Sequence, residues 1–280
     1  MTMLHKSFVA AALFAAGALA LSGSGLAQTE TASEATSVYK PSVGQSGNDV
    51  VWVPTSQALV DRMLDMAELT PRDHLVDLGS GDGRLVITAA KRGATARGIE
   101  FNPDMVALSR RTAQAEGVGN RARFDQGDIF KSDFSNATVV TLFLLPDLNM
   151  RLRPTLLNMK PGTRVVSNTF TMDDWEPDET AQVTQGCAGH CTAYKWVIPA
   201  KVQGSWRMGE KQLVLTQKYQ MIEGMLREEG ATTPISEGRI DGTKISFVAG
   251  QQRYTGEISG KTMQGTVEGG GRWSATFARP

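Results

Sequence analysis

From Val50 onward, short apolar runs alternate with stretches whose apolar residues recur at helical spacing. The runs predict strands, and the spaced stretches predict helices. Strands buried on both faces and separated by helices are typical of a parallel sheet, so this part of the chain is predicted to be α/β. Predicted strands cover residues 74–78, 94–100, 121–126, 137–145 and 163–170, and predicted helices cover 84–92, 103–116 and 148–159, after a first helix capped by Thr55 or Ser56.

The pattern changes after residue 170. Residues 181–185 and 192–198 are strand-like and flank a polar tip, which predicts an antiparallel hairpin at the sheet edge. Beyond Pro199 the helical spacing largely disappears, and apolar residues alternate with polar ones between turns such as Asp241-Gly242. Residues 200–280 are therefore predicted to be a small all-β module, a meander that forms a barrel or a sandwich.

The N-terminal segment has a different composition. Residues 1–27 combine Lys6, an apolar stretch over residues 8–21 and small residues up to Ala27, which predicts a cleaved signal peptide and a periplasmic location. An uncleaved anchor or an amphipathic helix is the alternative. Residues 28–49 are rich in Thr, Ser, Glu, Gly and Gln and are predicted to be a flexible linker. A folded domain over residues 50–199 follows.

Charge argues against a nucleic-acid partner. Lys and Arg number 29, as do Asp and Glu, so the chain has no overall basic field. The 41% hydrophobic and 21% charged content is that of a globular protein.

The chain has two cysteines, Cys187 and Cys191, at the tip of the predicted hairpin. In an oxidising compartment a pair this close favours a local disulfide. A redox pair, or a metal site that also uses His190, is the alternative. Because Cys, His and Cys fall short of the four ligands of a structural zinc site, no metal is predicted.

A glycine-rich turn follows the first predicted strand in the sequence Asp77-Leu-Gly79-Ser80-Gly81-Asp-Gly83. Such a turn lets backbone approach a ligand closely, and the next helix directs its free N–H groups to the same place. The glycine spacing differs from the dinucleotide pattern G-x-G-x-x-G, and Asp77 would repel a pyrophosphate but attract an ammonium group. The turn therefore indicates S-adenosylmethionine (SAM), a nucleoside with an amino-acid tail.

Carboxylates also follow the next two predicted strands. Glu100 is placed to accept hydrogen bonds from both ribose hydroxyls, and Asp128 from the adenine amino group, with Ile129 and Phe101 packing on the ring. Any one of these carboxylates alone would be an ordinary solvated loop residue. Three at successive strand ends, in the order that a SAM site requires, indicate cofactor binding.

At these motifs the chain resembles the class I SAM-dependent methyltransferases. More narrowly, it is similar to the mitochondrial lysine methyltransferases that modify the ATP synthase c-subunit and to their bacterial relatives. The resemblance covers roughly residues 50–180; where the family has His after Val-Val-Ser, this chain has Asn168. It rests on Val53-Pro-Thr55, the glycine-rich turn, Gly98-Ile-Glu100, residues 137–146, Leu152-Arg-Pro154, residues 162–167 and Trp175.

The resemblance implies a Rossmann-like seven-stranded fold and assigns further site residues. Thr55, Ser80 and the glycines Gly79, Gly81 and Gly83 are expected to contact SAM. The acceptor is expected beside the segment that follows the fourth strand, with contacts from Phe143, Leu145, Pro146 and Asn149. The apolar character of this segment suits a lysine channel, since burial favours the neutral, nucleophilic amine. No dedicated general base is apparent, so catalytic residues are not assigned.

The expected function is methyl transfer from SAM to a protein lysine. The alternatives are methylation of a small molecule or an envelope component, and an exported protein that keeps the fold and binds without turnover. Export favours the last alternative because SAM is made in the cytoplasm, whereas the intact set of cofactor carboxylates argues against it.

Overall fold

The computed structural model describes residues 39–47 and 50–279. The predicted signal peptide and the predicted linker up to residue 38 lie outside the described residues. No helix within the two described ranges is long and apolar enough to cross a membrane.

Residues 57–197 form a seven-stranded sheet with four helices, which confirms the predicted Rossmann-like α/β fold. The strand order is β3-β2-β1-β4-β5-β7-β6, and β7 runs antiparallel to both of its neighbours. The helices are α1 (Gln57–Met66), α2 (Arg84–Lys91), α3 (Pro103–Ala115) and α4 (Pro146–Leu156). The strands are β1 (His74–Leu78), β2 (Thr95–Glu100), β3 (Ala122–Gln126), β4 (Val139–Leu142), β5 (Arg164–Asn168), β6 (Glu179–Gln182) and β7 (Thr192–Val197).

The sheet is buried on both faces because successive side chains of a strand point to opposite sides. In β1, Leu75 packs with residues of α1, α2 and α3, whereas the next residue, Val76, packs with residues of α4. Val139 and Val140 of β4 divide in the same way. Two apolar cores therefore enclose the sheet and fix the edge at which the strands end.

Local signals set the helix starts. Ser56 caps α1 by accepting a hydrogen bond from the Leu59 amide, and Asn102 caps α3 by accepting from the amides of Asp104 and Met105. Pro146 begins α4, two residues before the predicted start, because proline suits the first turn of a helix, where its missing N–H has no partner to lose.

The predicted hairpin at the sheet edge is formed by β6 and β7, which pair in antiparallel register. Its tip is closed by a disulfide between Cys187 and Cys191. Both thiols are therefore used in the bridge. Among the described residues, no group of three His, Cys, Asp or Glu side chains is placed to hold a metal ion.

Residues 204–279 form a closed eight-stranded antiparallel barrel, which resolves the prediction of a barrel or a sandwich. Each strand pairs with the next along the chain, and β15 pairs with β8 to close the barrel. The strands are β8 (Gly204–Met208), β9 (Lys211–Lys218), β10 (Met221–Glu228), β11 (Ala231–Asp241), β12 (Lys244–Ala249), β13 (Gln252–Ser259), β14 (Thr262–Val267) and β15 (Arg272–Arg279).

Side chains fill the barrel interior. Trp206, Phe247 and Trp273 are buried among aliphatic residues, and the ring of Phe247 stacks on Tyr254 with centroids 4.8 Å apart. Gly256 makes room for Trp273, because a Cβ at Gly256 would lie 2.6 Å from the indole. The barrel thus has a packed core, as small eight-stranded barrels do.

The barrel packs against the loop between β5 and β6 of the sheet region. Trp175 is fully buried there, stacks on Tyr219 with centroids 5.6 Å apart, and donates from Nε1 to Gln220 Oε1 at 2.9 Å. Gln220 Nε2 donates in turn to the carbonyl of Glu176 at 2.8 Å. Asp178 adds an ion pair with Arg239 of the barrel. The barrel therefore supports the same loop that leads out of β5.

Candidate functional site

A cavity of about 270 Å³ opens at the carboxyl edge of the sheet, where the strand order reverses between β1 and β4. Ligands of open α/β sheets bind at this position. We call it the carboxyl-edge pocket. Its walls come from the loops after β1 to β5, from residues 45–47 and 50–55, and from the loop between β6 and β7, which we call the disulfide loop.

The loop after β1 forms one wall of the carboxyl-edge pocket. Gly79 and Gly81 have φ angles of 80° and 53°, in the left-handed region that only glycine occupies without strain. A Cβ at Gly81 would lie 2.7 Å from Trp52 Nε1, so the loop and residue 52 leave no space for a side chain. The backbone of this loop is therefore exposed to a ligand at close range.

Asp77 lies at the bottom of the pocket with only 7% of its surface exposed. It accepts a hydrogen bond from Thr141 Oγ1 at 2.7 Å, and within the described parts of the chain it has no cationic partner. Burial raises the pKa of Asp77 to about 7, with smaller contributions from the charges of Glu100 and Asp82. A buried carboxylate with an unmet demand for positive charge suits a ligand ammonium group.

Glu100, the last residue of β2, and Asp128, which follows β3, also line the pocket. Glu100 accepts from the amides of Gly81 and Asn102, both at 2.9 Å, which fixes both of its carboxylate oxygens. Asp128 accepts from the amide of Phe130 at 2.9 Å. Each oxygen keeps a further lone pair, so both carboxylates can still accept hydrogen bonds from ribose or adenine.

Of the ten residues predicted to contact the cofactor, all but Gly83 line the pocket. They are Thr55, Asp77, Gly79, Ser80, Gly81, Glu100, Phe101, Asp128 and Ile129. Gly83 instead caps α2 with a φ of 80°, and a Cβ there would lie 2.7 Å from both Phe124 and Ser109. Its role in the loop is to let the helix begin close to the sheet.

Two of the four residues predicted to contact the acceptor line the pocket. Phe143 and Leu145 line the pocket, whereas Pro146 and Asn149 do not. Pro146 begins α4, and Asn149 is fully buried, where its amide donates to the carbonyls of Phe170 and Thr171 at 3.3 and 3.1 Å. Asn149 therefore holds the loop after β5 beside the pocket.

Several residues of the pocket were not predicted from the sequence. Residues 45–47, assigned to the linker, line it because the backbone of Trp52 accepts a hydrogen bond from Gly44 and donates one to Gln45, both at 2.9 Å. Arg84 lines it and donates to the carbonyl of Thr55 at 2.8 Å. The aromatic Trp52, next to the resemblance motif at Val53, was the available signal for this segment.

Phe170 and His190 also line the pocket without having been predicted. They come from the loop after β5 and from the disulfide loop, far apart in sequence. Only the pairing of β5 with β7 brings these two loops together, so no local pattern would have found them.

Comparison with known proteins identifies the same part of the chain. The family described as the ANTKMT methyltransferase domain matches residues 77–179. A protein-lysine N-methyltransferase of Saccharolobus islandicus is 43% identical over 152 residues, which cover 53% of this chain and 94% of that protein. The human lysine N-methyltransferase named for the ATP synthase c-subunit is 38% identical over 128 residues, and the match spans about half of its length, 54%.

A solved structure agrees with these relatives. The RNA methyltransferase from Salinibacter ruber, in complex with S-adenosyl-L-homocysteine, has a TM-score of 0.51 and 47% sequence identity. The match covers 54% of this chain and 96% of that one. That relative binds S-adenosyl-L-homocysteine, the product that SAM leaves after methyl transfer. The carboxyl-edge pocket of this chain has the glycine-rich turn and the buried Asp77 that suit such a ligand.

Proposed function

This chain belongs to the ANTKMT methyltransferase family, whose members use SAM, and we propose that its methyl acceptor is the side-chain amine of a protein lysine. The relatives named for lysine methylation support this acceptor. The observation that carries the proposal is the carboxyl-edge pocket itself, in which Asp77 lies beside an apolar segment, Phe143-Leu144-Leu145.

Each side of the pocket is suited to one part of the cofactor. Asp77 would hold the ammonium of the methionine tail, the backbone of Gly79–Gly81 its carboxylate, Glu100 the ribose, and Asp128 with Ile129 the adenine. When bound, SAM supplies a methyl group on a positively charged sulfur, which makes that carbon an electrophile.

The residues of the pocket then have to align and desolvate the acceptor. A lysine amine has an ordinary pKa of about 10.4, so it must lose a proton before it can attack. Phe143, Leu144 and Leu145 present carbon atoms to the pocket, and such surroundings favour the neutral amine. Of the described carboxylates that line the cavity, Asp77, Glu100 and Asp128 are assigned to the cofactor, and Asp82 pairs with Arg84. No dedicated general base is therefore assigned, and the proton passes to water.

Two other acceptor classes are weaker. An RNA acceptor is suggested by the description of the Salinibacter ruber relative, but this chain has equal numbers of basic and acidic residues, and RNA binding relies on excess positive charge. A polar small molecule would need polar groups on the acceptor side, where this pocket has three consecutive apolar residues.

The acceptor class is tested by incubating the purified full chain with methyl-labelled SAM and separate protein, RNA and lipid fractions of the source cells. We expect label only in protein, and in N-methyl-lysine after complete hydrolysis. Label in RNA or lipid would contradict the lysine proposal. Binding of SAM without any transfer would favour the alternative of a binding protein.

We also propose that the protein is exported to the periplasm with residues 1–27 removed. The composition of that segment supports export, and so does the Cys187–Cys191 disulfide, since disulfides persist in oxidising compartments. N-terminal sequencing of the protein recovered from cell fractions tests this. A periplasmic protein that begins after residue 27 is expected, and an unprocessed cytoplasmic chain would contradict it.

A further inference from the structure

Three aromatic side chains meet at one side of the carboxyl-edge pocket. Phe143 follows β4, Phe170 follows β5, and His190 belongs to the loop between β6 and β7. The ring centroids of Phe143 and His190 are 5.1 Å apart, those of Phe143 and Phe170 6.1 Å, and those of Phe170 and His190 6.3 Å. The three rings therefore form one continuous surface, which we call the aromatic wall.

His190 is held in the aromatic wall by the disulfide loop. It precedes Cys191 directly and has a φ of 55°, a backbone conformation that side-chain-bearing residues rarely adopt. The base of the loop is closed by backbone hydrogen bonds from Val183 to Cys191 and from Thr169 to Thr192, at 2.9 and 2.7 Å. A strained backbone persists only where its surroundings constrain it. Here the disulfide constrains the backbone, and the imidazole of His190, an exposed residue, lies against Phe143 and Phe170.

The aromatic wall lies on the acceptor side of the cavity. In the sheet order, β3 and β2 carry the carboxylates for adenine and ribose, and β1 carries Asp77 for the methionine tail. The wall comes from β4, β5 and the β6–β7 loop, which lie beyond β1 in the same order. A ligand that faces the transferable methyl group from this side meets the three rings.

We propose that the aromatic wall is the binding surface for the acceptor amine and that the Cys187–Cys191 disulfide holds His190 in it; this rests on the lysine acceptor proposed above. Aromatic faces attract alkylammonium groups, and methylated ammonium groups suit them particularly well. The wall therefore binds the lysine as an ammonium on entry, before the amine loses its proton for attack, and binds the methylated ammonium groups that methyl transfer produces. The family match ends at residue 179, before the disulfide loop.

The kinetic test uses Nα-acetyl-lysine methylamide as the acceptor and the full chain as the enzyme. His190→Ala is expected to raise the KM for this acceptor about five- to tenfold, with kcat and the Kd of SAM changed less than about twofold. His190→Phe restores an aromatic face and should recover most of the loss. Gln185→Ala is the matched control, because Gln185 is exposed in the same loop and does not line the pocket.

The disulfide is tested by the double variant Cys187→Ser with Cys191→Ser. We expect it to raise the same KM by about two- to fivefold, since His190 is then free to leave the wall. Adding His190→Ala to the double variant should raise the KM only to the level of His190→Ala alone, because both changes act on the same ring. An unchanged KM in the double variant would overturn the role of the disulfide.

A binding measurement separates this proposal from the proposed function. The chain has three histidines, His5, His74 and His190, so proton NMR of the imidazole C2–H signals follows His190 with His74 as an internal reference. With S-adenosylhomocysteine present, Nα-acetyl-trimethyl-lysine methylamide should shift the His190 signal at lower concentration than the unmethylated probe, and should leave His74 unmoved.

Failure of the lysine-acceptor proposal can be told apart from failure of the aromatic-wall proposal. If methyl transfer to lysine is never seen but the trimethylated probe shifts His190, the aromatic wall stands as an ammonium site and the proposed acceptor is wrong. If lysine is methylated while His190→Ala and Gln185→Ala have the same KM and the probe does not shift His190, the wall proposal is overturned and the acceptor stands.

Discussion

The sheet region buries many more polar side chains than the barrel does. The sheet region buries nine polar or charged side chains: Asp73, Asp77, Ser80, Ser109, Thr141, Asn149, Thr163, Ser167 and Asn168. Asp77, Ser80 and Asn168 are among those at or near the carboxyl edge. The barrel buries two, Ser205 and Gln220, and Gln220 serves the contact with Trp175. Otherwise the barrel interior is apolar.

This difference follows from how each architecture ends its strands. Parallel strands all finish at one edge, where loops of several strands converge and a pocket is left open. An up-and-down barrel pairs every strand with both neighbours, and here its interior is filled by side chains. Stability should therefore be the main consequence of changes in the barrel, and cofactor affinity the main consequence of changes at the carboxyl edge.

The largest effect on stability is expected from the barrel core. Trp206 is 1% exposed and donates from Nε1 to the carbonyl of Val202 at 2.8 Å, so Trp206→Ala removes a large packed ring and a hydrogen bond. A loss of about 3–5 kcal/mol in the free energy of unfolding is expected, measured by urea denaturation. The Kd of SAM for the folded protein should stay within twofold. A larger change would mean that the barrel core also affects cofactor affinity.

At the carboxyl edge, Asp77→Asn should weaken SAM binding and yet make the protein more stable at pH 8. The amide keeps the hydrogen bond from Thr141 but not the charge, so SAM should bind about a hundredfold more weakly. Because burial raises the pKa of Asp77 to about 7, its contribution to stability declines as the pH rises from about 4 to 7. The variant should therefore be more stable than the parent at pH 8, on the order of 3 kcal/mol.

Asp73→Asn is the matched control for Asp77→Asn. Burial alone would raise the pKa of Asp73, but hydrogen bonds from Thr138, Thr70 and Arg164 lower it below its ordinary value. Its ionised form thus stabilises the fold at neutral pH, and this contribution is lost as the pH falls through the lowered pKa. Asp73→Asn should destabilise by about 1.5–3 kcal/mol and leave SAM affinity unchanged.

The same substitution, Gly to Ala, can be made in both regions. Gly81→Ala places a Cβ against Trp52 at a φ of 53°, whereas Gly256→Ala places one 2.6 Å from Trp273 inside the barrel. Each should cost about 1–3 kcal/mol. In Gly81→Ala the loss should include SAM affinity, about tenfold by calorimetry, and in Gly256→Ala it should be confined to the unfolding free energy. Equal loss of SAM affinity in both variants would contradict the division.

The smallest expected effect is at the junction between the two regions. Gln220→Met leaves Trp175 Nε1 buried without an acceptor, which should cost about 1–2 kcal/mol of stability. SAM affinity should change less than twofold, as judged by calorimetry on the same samples. A strong loss of affinity would mean that the barrel positions residues of the pocket through the β5–β6 loop.

Much of the fold could be predicted from the sequence because it rests on local periodicity. The first predicted strand, 74–78, coincides with β1, and the barrel was expected from the alternation of apolar residues beyond Pro199. The cofactor side of the site was also predicted, since its residues directly follow strands and have distinctive spacing. Thr55, Ser80 and Ile129 line the pocket as the resemblance and the strand ends implied.

The rest depends on contacts between distant segments. Residues 45–47 have a linker-like composition, and only their hydrogen bonds with Trp52 bring them to the pocket. His190 was considered only as a metal ligand beside two thiols, because its contact with Phe143 requires the pairing of β5 with β7. Asn149 was expected to touch the acceptor but is turned inward to hold the loop at Phe170.

Asp77 is expected to receive the ammonium of SAM. Calorimetry in buffers of different ionisation enthalpy tests this, because it measures the number of protons released or taken up when SAM binds. At pH 6 Asp77 is mostly protonated in the free protein, so binding of SAM should release nearly one proton. At pH 8 the release should vanish or reverse, since an α-amino group with a pKa near 8 is then partly neutral in free SAM. Asp77→Asn should release no proton at pH 6. Tight binding by this variant, or the absence of proton release from the parent protein, would contradict the account.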